Sequence, residues 1–474
     1  MSRGSRARVY GDFQTPLELA RAACALLGDD GFAPAAILEP SCGSGNFLRA
    51  ACERFPGAER ALGLEIDPAH AAAARAQLGP RAQVAVGDFF TTEWQSVLAS
   101  LPDPLLVTGN PPWVTNAELG RLAGANLPRK HNAAGARGID ALTGQSNFDI
   151  SEWMLQRALE WLAGRDAVLA VLCKTAVARR VLAESWRAGR RFARAELFGI
   201  DAARHFSASV SACLLVLREA PGARAQTCTL HAGLAREPRP RRLGWRDGAL
   251  VADVRAYARA RPALGAAGAT WRSGIKHDCA RVMELERAGT GWRNGLGEEW
   301  LLEPDCIFPM LKCTDLARGP ARSTRARFML VPQRAPGDAT EGLRASAPRT
   351  WDYLCAHAER LDARRSSIYR GRPRFALFGV GPYAFAPYKV AVSGFHLPPS
   401  FRVVGPRDGR PVVLDDTCYF LPFEREDEAQ RTAALLESST ARDFFTALAF
   451  PDAKRPLTAG LLRRLDLQAL ASAV

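Results

Sequence analysis

Short apolar runs alternate with helical patterns along the first half of the chain. Six runs read as strands: Ala35–Leu38, Ala61–Ile66, Gln83–Val86, Leu105–Thr108, Ala167–Cys173 and Ser211–Leu217. Between several of them apolar positions recur at helical spacing, as in Asn46–Phe55 and Pro68–Leu78. Asp67 stands where it caps the second helix, and Pro68 takes the first turn, where a missing N–H costs nothing. Ile150, Trp153, Met154, Ala158, Trp161 and Leu162 share one helical face. This alternation predicts an α/β fold with a doubly wound sheet of buried, mostly parallel strands. A Pro- and Arg-rich stretch then breaks the pattern and reads as a linker over 221–244. The expected domains are therefore 1–220 and 245–474, the second less regular and rich in Gly, Pro and aromatic residues.

Charge separates the same two halves. Of the net +14, residues 1–220 carry 24 Lys+Arg against 22 Asp+Glu, and the rest of the chain carries 39 against 27. A neutral first half and a basic second half predict that the second meets a polyanion. No apolar run reaches the ~18 residues of a membrane span, and the start of the chain lacks a signal-like apolar core. Eleven cysteines without a CxxC pair read as reduced thiols. Together these predict a cytoplasmic protein with no membrane partner. His277 and Cys279 lack a second ligand pair, so no metal is expected.

Candidate chemistry begins at Glu39-Pro-Ser41-Cys-Gly43-Ser-Gly45, which leads from a strand into a helix. Glycines there permit a tight turn, and free N–H groups at the helix start favour an electron-rich ligand. The next strand ends in Glu65-Ile66-Asp67, and an acidic residue there can hold a ribose diol. These segments resemble the cofactor site of S-adenosylmethionine-dependent methyltransferases. The resemblance places Glu39 by the methionine moiety and Glu65 on the ribose hydroxyls. It places Ser41, Gly43, Gly45 and Ile66 around the same ligand. Asp88 takes the adenine amine and Phe89 packs on its ring. Asp12-Phe-Gln-Thr15-Pro16 resembles the segment that closes over the methionine end.

The sharpest motif is Asn110-Pro111-Pro112-Trp113, directly after a buried strand. Two prolines fix the backbone and remove two donors, so that carbonyl oxygens and the Asn110 amide oxygen face the site as acceptors. An exocyclic amine is a weak nucleophile because its lone pair is delocalised into the ring. Two acceptors on its hydrogens favour a pyramidal nitrogen and aim the lone pair at a methyl donor, which is positioning rather than general-base catalysis. Trp113 can stack on the base. The motif resembles amino-methyltransferases, and the order of segments resembles the gamma class of restriction-associated DNA adenine-N6 methyltransferases. RNA-base amino-methyltransferases and protein-glutamine N5 methyltransferases share the motif and are the alternatives.

What that resemblance implies is a Rossmann-like methyltransferase domain followed by a mixed α/β target-recognition domain, acting on flipped adenine in duplex DNA. A cognate restriction or defence protein would be its partner. Phe206 matches the family's base-contacting phenylalanine. A basic stretch from Arg121 to Gln145, with Arg129-Lys-His131, reads as a lid. In the second half Arg364, Arg365, Arg370, Arg372 and Arg374 interleave with Tyr369 and Phe375, and with Lys389 they are the candidate DNA contacts. No Pro-Cys dipeptide is present, so the cysteine nucleophile of pyrimidine C5 chemistry lacks its expected setting.

Overall fold

A computed structural model describes residues 14–114, 149–219, 225–265, 269–319 and 326–473. They divide into two compact units, Met1–Val254 and Arg255–Val474. The first is organised by ten strands: β1 (Ala36–Glu39), β2 (Arg60–Glu65), β3 (Gln83–Val86), β4 (Leu105–Gly109), β5 (Ala167–Lys174), β6 (Arg194–Ile200), β7 (Ala212–Arg218), β8 (Thr227–His231), β9 (Arg241–Arg246) and β10 (Ala249–Val251). Across the sheet they run β10-β9-β8-β6-β7-β5-β4-β1-β2-β3. From β3 to β5 every pairing is parallel. β7 is antiparallel to both β5 and β6.

Among the described residues seven helices flank this sheet: α1 (Leu17–Gly28), α2 (Asn46–Arg54), α3 (Pro68–Leu78), α4 (Trp94–Ala99), α5 (Ile150–Leu162), α6 (Thr175–Arg187) and α7 (Ala202–Phe206). Strand side chains alternate between two cores. Leu105, Val107, Leu169 and Val171 join Met154, Leu155 and Trp186 on one face. Leu106, Val168 and Leu172 join Leu19, Phe47 and Phe206 on the other. The first seven positions of β5 are all buried, and each large apolar side chain so buried contributes about 1.5–3 kcal/mol. Asp67 caps α3 as its position predicts, with Oδ1 accepting from Ala69 N at 2.7 Å and Pro68 opening the helix.

Two features depart from the sequence expectation. β6 was not among the expected strands. Arg194 and Glu196 interrupt its apolar pattern, and they are ion-paired to each other at 2.6 Å and to Asp30 and Arg236. The stretch read as a linker, 221–244, holds β8 and the start of β9, which widen the first sheet. β8 pairs in parallel with β6, and β9 and β10 follow as an antiparallel meander. Cys228 and Leu243 point into the core from this stretch; prolines and arginines in its turns masked the strands. The division between the units falls at Val254 rather than at 220 or 245.

The second unit is mixed α/β. Its six-stranded sheet comprises β12 (Glu284–Ala288), β13 (Gly291–Asn294), β14 (Glu299–Trp300), β15 (Ile307–Leu311), β16 (Arg327–Leu330) and β19 (Val413–Leu414). A four-stranded sheet comprises β11 (Arg272–Ser273), β17 (Tyr388–Ser393), β18 (Arg402–Val404) and β20 (Cys418–Phe423). Phe308, Phe328, Trp351 and Tyr353 lie in the larger core.

The strands beyond 220 complete the first sheet and cover the edge of β6. Expressed alone, residues 1–254 should give a monodisperse protein with one cooperative thermal transition. Residues 1–218 leave that edge unpaired and should aggregate; equal solubility and equal melting temperature for the two fragments would contradict this role.

Candidate active site

β1 ends in Glu39, whose carboxylate is 2% exposed and accepts from Leu48 N in α2 at 2.8 Å. Burial holds this carboxyl well above the usual carboxylate range; the Leu48 N–H opposes that shift and Glu65 adds to it. The neighbouring strand β4 ends in Gly109, with φ at +138°. A Cβ there would sit 3.1 Å from Glu39 Cγ and Oε1. Any side chain at 109 would therefore push into the acidic group, beyond the backbone strain that φ imposes.

The glycine turn follows β1. Gly45, at φ +88°, forms the N-cap of α2, and a Cβ on it would meet Ala74 Cβ at 2.9 Å. Glu65, at the end of β2, accepts from Gly43 N at 2.7 Å and from Asp67 N at 2.9 Å. Those bonds occupy one site on each oxygen and leave further lone pairs for a ligand hydroxyl. Gln14 Oε1 accepts from Ser44 N and Oγ, both at 2.9 Å. Asn46 Nδ2 donates to the Thr15 carbonyl at 2.9 Å. The segment ahead of α1 is thus bonded to the turn. Asp12 and Phe13 lie outside the described residues.

Ser41 is half-buried in the turn, and Ile66, just past Glu65, is 48% exposed. Asp88 follows β3 and accepts from Phe90 N at 2.9 Å. Phe89 differs from the expectation. It is 7% exposed, with its ring in a cluster formed with Trp94, Trp153 and Trp161 at centroid distances of 5.2–6.0 Å. Its main contact is this core.

Asn110 leaves β4 half-buried, Pro111 is buried and Pro112 half-buried. Trp113 and Phe206 come together, with ring centroids 5.0 Å apart and planes at 66°. Phe206 closes α7, whose first turn is capped by Asp201 on Arg204 N at 3.0 Å. Two aromatic residues separated by 93 positions thus form one edge-to-face pair beside Asn110. Three contributors had no sequence motif to reveal them: Gly109, Lys174 and Asp149. Lys174 Nζ donates to the Trp113 carbonyl at 2.9 Å and to Asp149 Oδ2 at 2.7 Å. The expected lid, Arg121 to Gln145, lies outside the described residues.

In the second unit the basic candidates separate. Arg365, Arg370, Arg372 and Arg374 are exposed, and Arg374 is paired with Asp362 at 2.7 Å. Arg364 is turned inward, stacking 4.0 Å over Tyr369 and donating to the Leu361 and Ala376 carbonyls at 2.7 and 2.9 Å. Lys389 is 1% exposed, inside the four-stranded sheet, and donates to the Ala386 carbonyl at 2.6 Å. Burial pushes its ammonium down to about 8. Neither Arg364 nor Lys389 is a surface phosphate contact, because each is consumed by the fold. Among the described residues no cluster of His, Cys, Asp and Glu is suited to a metal ion.

A sheet of this order, with a glycine turn after β1 and a carboxylate closing β2, defines a methyltransferase that uses S-adenosylmethionine. The donor set fits that cofactor: Glu65 offers acceptors to hydroxyls and Ile66 an apolar flank, while Gly45 lets α2 start tight against α3. No protein-family model matches the chain. The type II methyltransferase M.NspV of Nostoc sp. is 40% identical over 470 residues, covering 98% of each chain. By that likeness the chain belongs to the type II methyltransferases of restriction–modification systems. M.CvrRI, from Paramecium bursaria Chlorella virus XZ-6E, is 36% identical over 105 residues, 22% of this chain and 25% of that one. The type IIL restriction–modification enzyme MmeI, solved in complex with DNA, shares the fold with TM-score 0.56 at 12% identity. The match covers 94% of this chain and 64% of MmeI.

Two substitutions test the acidic pair. Glu65→Ala should weaken cofactor binding by about 1–3 kcal/mol, the range for losing a charged hydrogen bond, measured by calorimetry; unchanged affinity would remove its ligand role. Glu39→Gln acts on folding. A carboxyl whose folded-state pKa is raised contributes most below its unfolded value and loses that contribution as pH rises through the folded value. The variant without cofactor should therefore gain melting temperature over the parent at about pH 8 and gain little at about pH 5. A difference that does not change with pH would contradict the buried, charge-averse setting of Glu39.

Proposed function

We propose that this protein methylates N6 of an adenine turned out of duplex DNA. S-adenosylmethionine supplies an electrophilic methyl group. Asn110 Oδ1 and the backbone carbonyl beside Pro111 accept the two amine hydrogens, which orients the nitrogen lone pair. Pro111 and Pro112 add no competing N–H there. Trp113 and Phe206 hold the flat base, so that unstacking it from the duplex is offset by new ring contacts. Glu39 and Glu65 hold the cofactor one strand away. The amine proton departs to solvent after transfer, so no side chain is needed as a base.

The observation that carries this reading is the placement of Asn110 directly after β4, whose last residue Gly109 lies against Glu39 at the end of the parallel neighbour β1; the Trp113–Phe206 pair follows three residues on, its rings 5% and 7% exposed. Paired acceptors beside two aromatic edges suit a planar amino-purine. The exposed Arg365, Arg370 and Arg372 offer guanidinium groups to phosphates and guanine edges. In this proposal the protein works in the cytoplasm in restriction–modification or phage defence, with a cognate restriction or defence protein as partner, a setting that its likeness to a type II methyltransferase supports.

Labelled cofactor offered together with unmethylated duplex DNA, RNA and protein, followed by nucleoside and amino-acid analysis, tests the substrate. Label should collect in N6-methyladenine from DNA; label in an RNA base, a cytosine or a glutamine would replace the reading. Asn110→Ala should lower transfer by about 100- to 1000-fold with cofactor affinity intact. Near-normal turnover in that variant would end the proposed mechanism.

A further inference from the structure

We infer that Lys174 is a positioning residue for methyl transfer, holding the base platform through the Trp113 carbonyl; this rests on the reading above. Lys174 ends β5, the parallel neighbour of β4. Its ammonium bridges the Trp113 carbonyl at 2.9 Å and Asp149 Oδ2 at 2.7 Å, with side chains 23% and 4% exposed. Asp149 Oδ1 in turn accepts from Ser151 Oγ at 2.6 Å and from Ser151 N at 3.2 Å, capping α5. Ile150 N donates to the Val114 carbonyl at 3.0 Å. One cation therefore joins the strand, the Asn-Pro-Pro-Trp segment and the start of α5.

The chemistry explains why a lysine stands there. Pro111 and Pro112 have no N–H, so the segment cannot anchor those two positions by backbone donation. A donor from outside must fix the peptide that follows. An ammonium satisfies a carbonyl and a carboxylate at once, and a carboxylate this deeply buried requires a paired cation. Fixing the Trp113 peptide fixes where its ring meets Phe206. Lys174 touches neither substrate nor cofactor in this arrangement; its effect passes through Trp113.

The experiment uses the full chain with unmethylated genomic DNA as substrate. Lys174→Met keeps length and removes all donors, and Lys174→Arg keeps charge and donors. In the Met variant kcat should fall by about ten- to a hundredfold, the scale of a small misplacement near a reacting centre. Its cofactor affinity should stay within about twofold, and the Arg variant should recover much of the rate. In protein carrying 5-fluorotryptophan, the 19F resonance that Trp113→Phe deletes should move or broaden in both Lys174 variants, most in Lys174→Met. An unmoved resonance, or a Met variant with the parent's kcat, overturns the inference. If Lys174→Met does not fold, the Arg variant carries the same test: an unmoved resonance with unchanged kcat overturns it. Should the label go to a substrate other than adenine in DNA, the reading of function fails, while the fluorine signal still reports on the clamp.

Discussion

The contact between Glu39 and Gly109 governs the geometry of the site. β1 and β4 are adjacent and parallel, so their C-terminal ends open on the same edge of the sheet. It is also the place where strand order reverses, with β2 on one side of β1 and β4 on the other. Ligands bind at such switch points because the two loops diverge and leave a crevice. Here one loop is the glycine turn and the other begins with Asn110. The carboxylate of Glu39 fills the space a side chain at 109 would need. The glycine turn and the Asn-Pro-Pro-Trp segment are thereby brought together by strand pairing, before any ligand contributes.

The two faces of the sheet then divide the work. Helices α1, α2, α3 and α7 cover the face that includes Phe47 and Phe206, and carry the turn and one ring of the Trp113–Phe206 pair. Helices α5 and α6 cover the other and supply bulk, with Phe89 and its tryptophan neighbours beneath Asp88. Phe89 shows how a residue type can suit two settings. An aromatic ring after a strand reads equally well as a ligand wall or as core, and three tryptophans nearby in space decide for core. Two of them, Trp153 and Trp161, are brought there by α5, far along the chain.

Much of the first unit was legible in the sequence because its cues are local. Gly43 and Gly45, the capping pair Asp67 and Pro68, and the double proline each carry their geometry with them. β6 was not legible, since Arg194 and Glu196 place charge where periodicity expects apolar residues, and only their ion pairs with Asp30 and Arg236 make that tolerable. The strands beyond 220 were hidden by composition in the same way. In the second unit an arginine-rich segment read as a uniformly basic surface. Its members differ by where their guanidinium groups point: Arg364 lies against Tyr369 and two carbonyls, whereas Arg365, Arg370 and Arg372 face solvent. Lys389 was the furthest from expectation, because a strand interior cannot be told from a strand surface when both flanking residues are apolar.

The hydrogen bond from Ile150 to Val114 has a thermodynamic consequence. Val114 lies just past β4 and Ile150 opens α5, and their backbone bond together with the buried Lys174–Asp149 ion pair closes one junction. The free energy of closing a loop rises only about 0.6 kcal/mol for each doubling of its length. Holding these two positions together therefore rests on contacts at the junction itself and depends only weakly on how many residues separate them along the chain. Loss of one junction contact is the greater threat to the fold, since Asp149 without its ammonium partner would be a buried, unpaired charge.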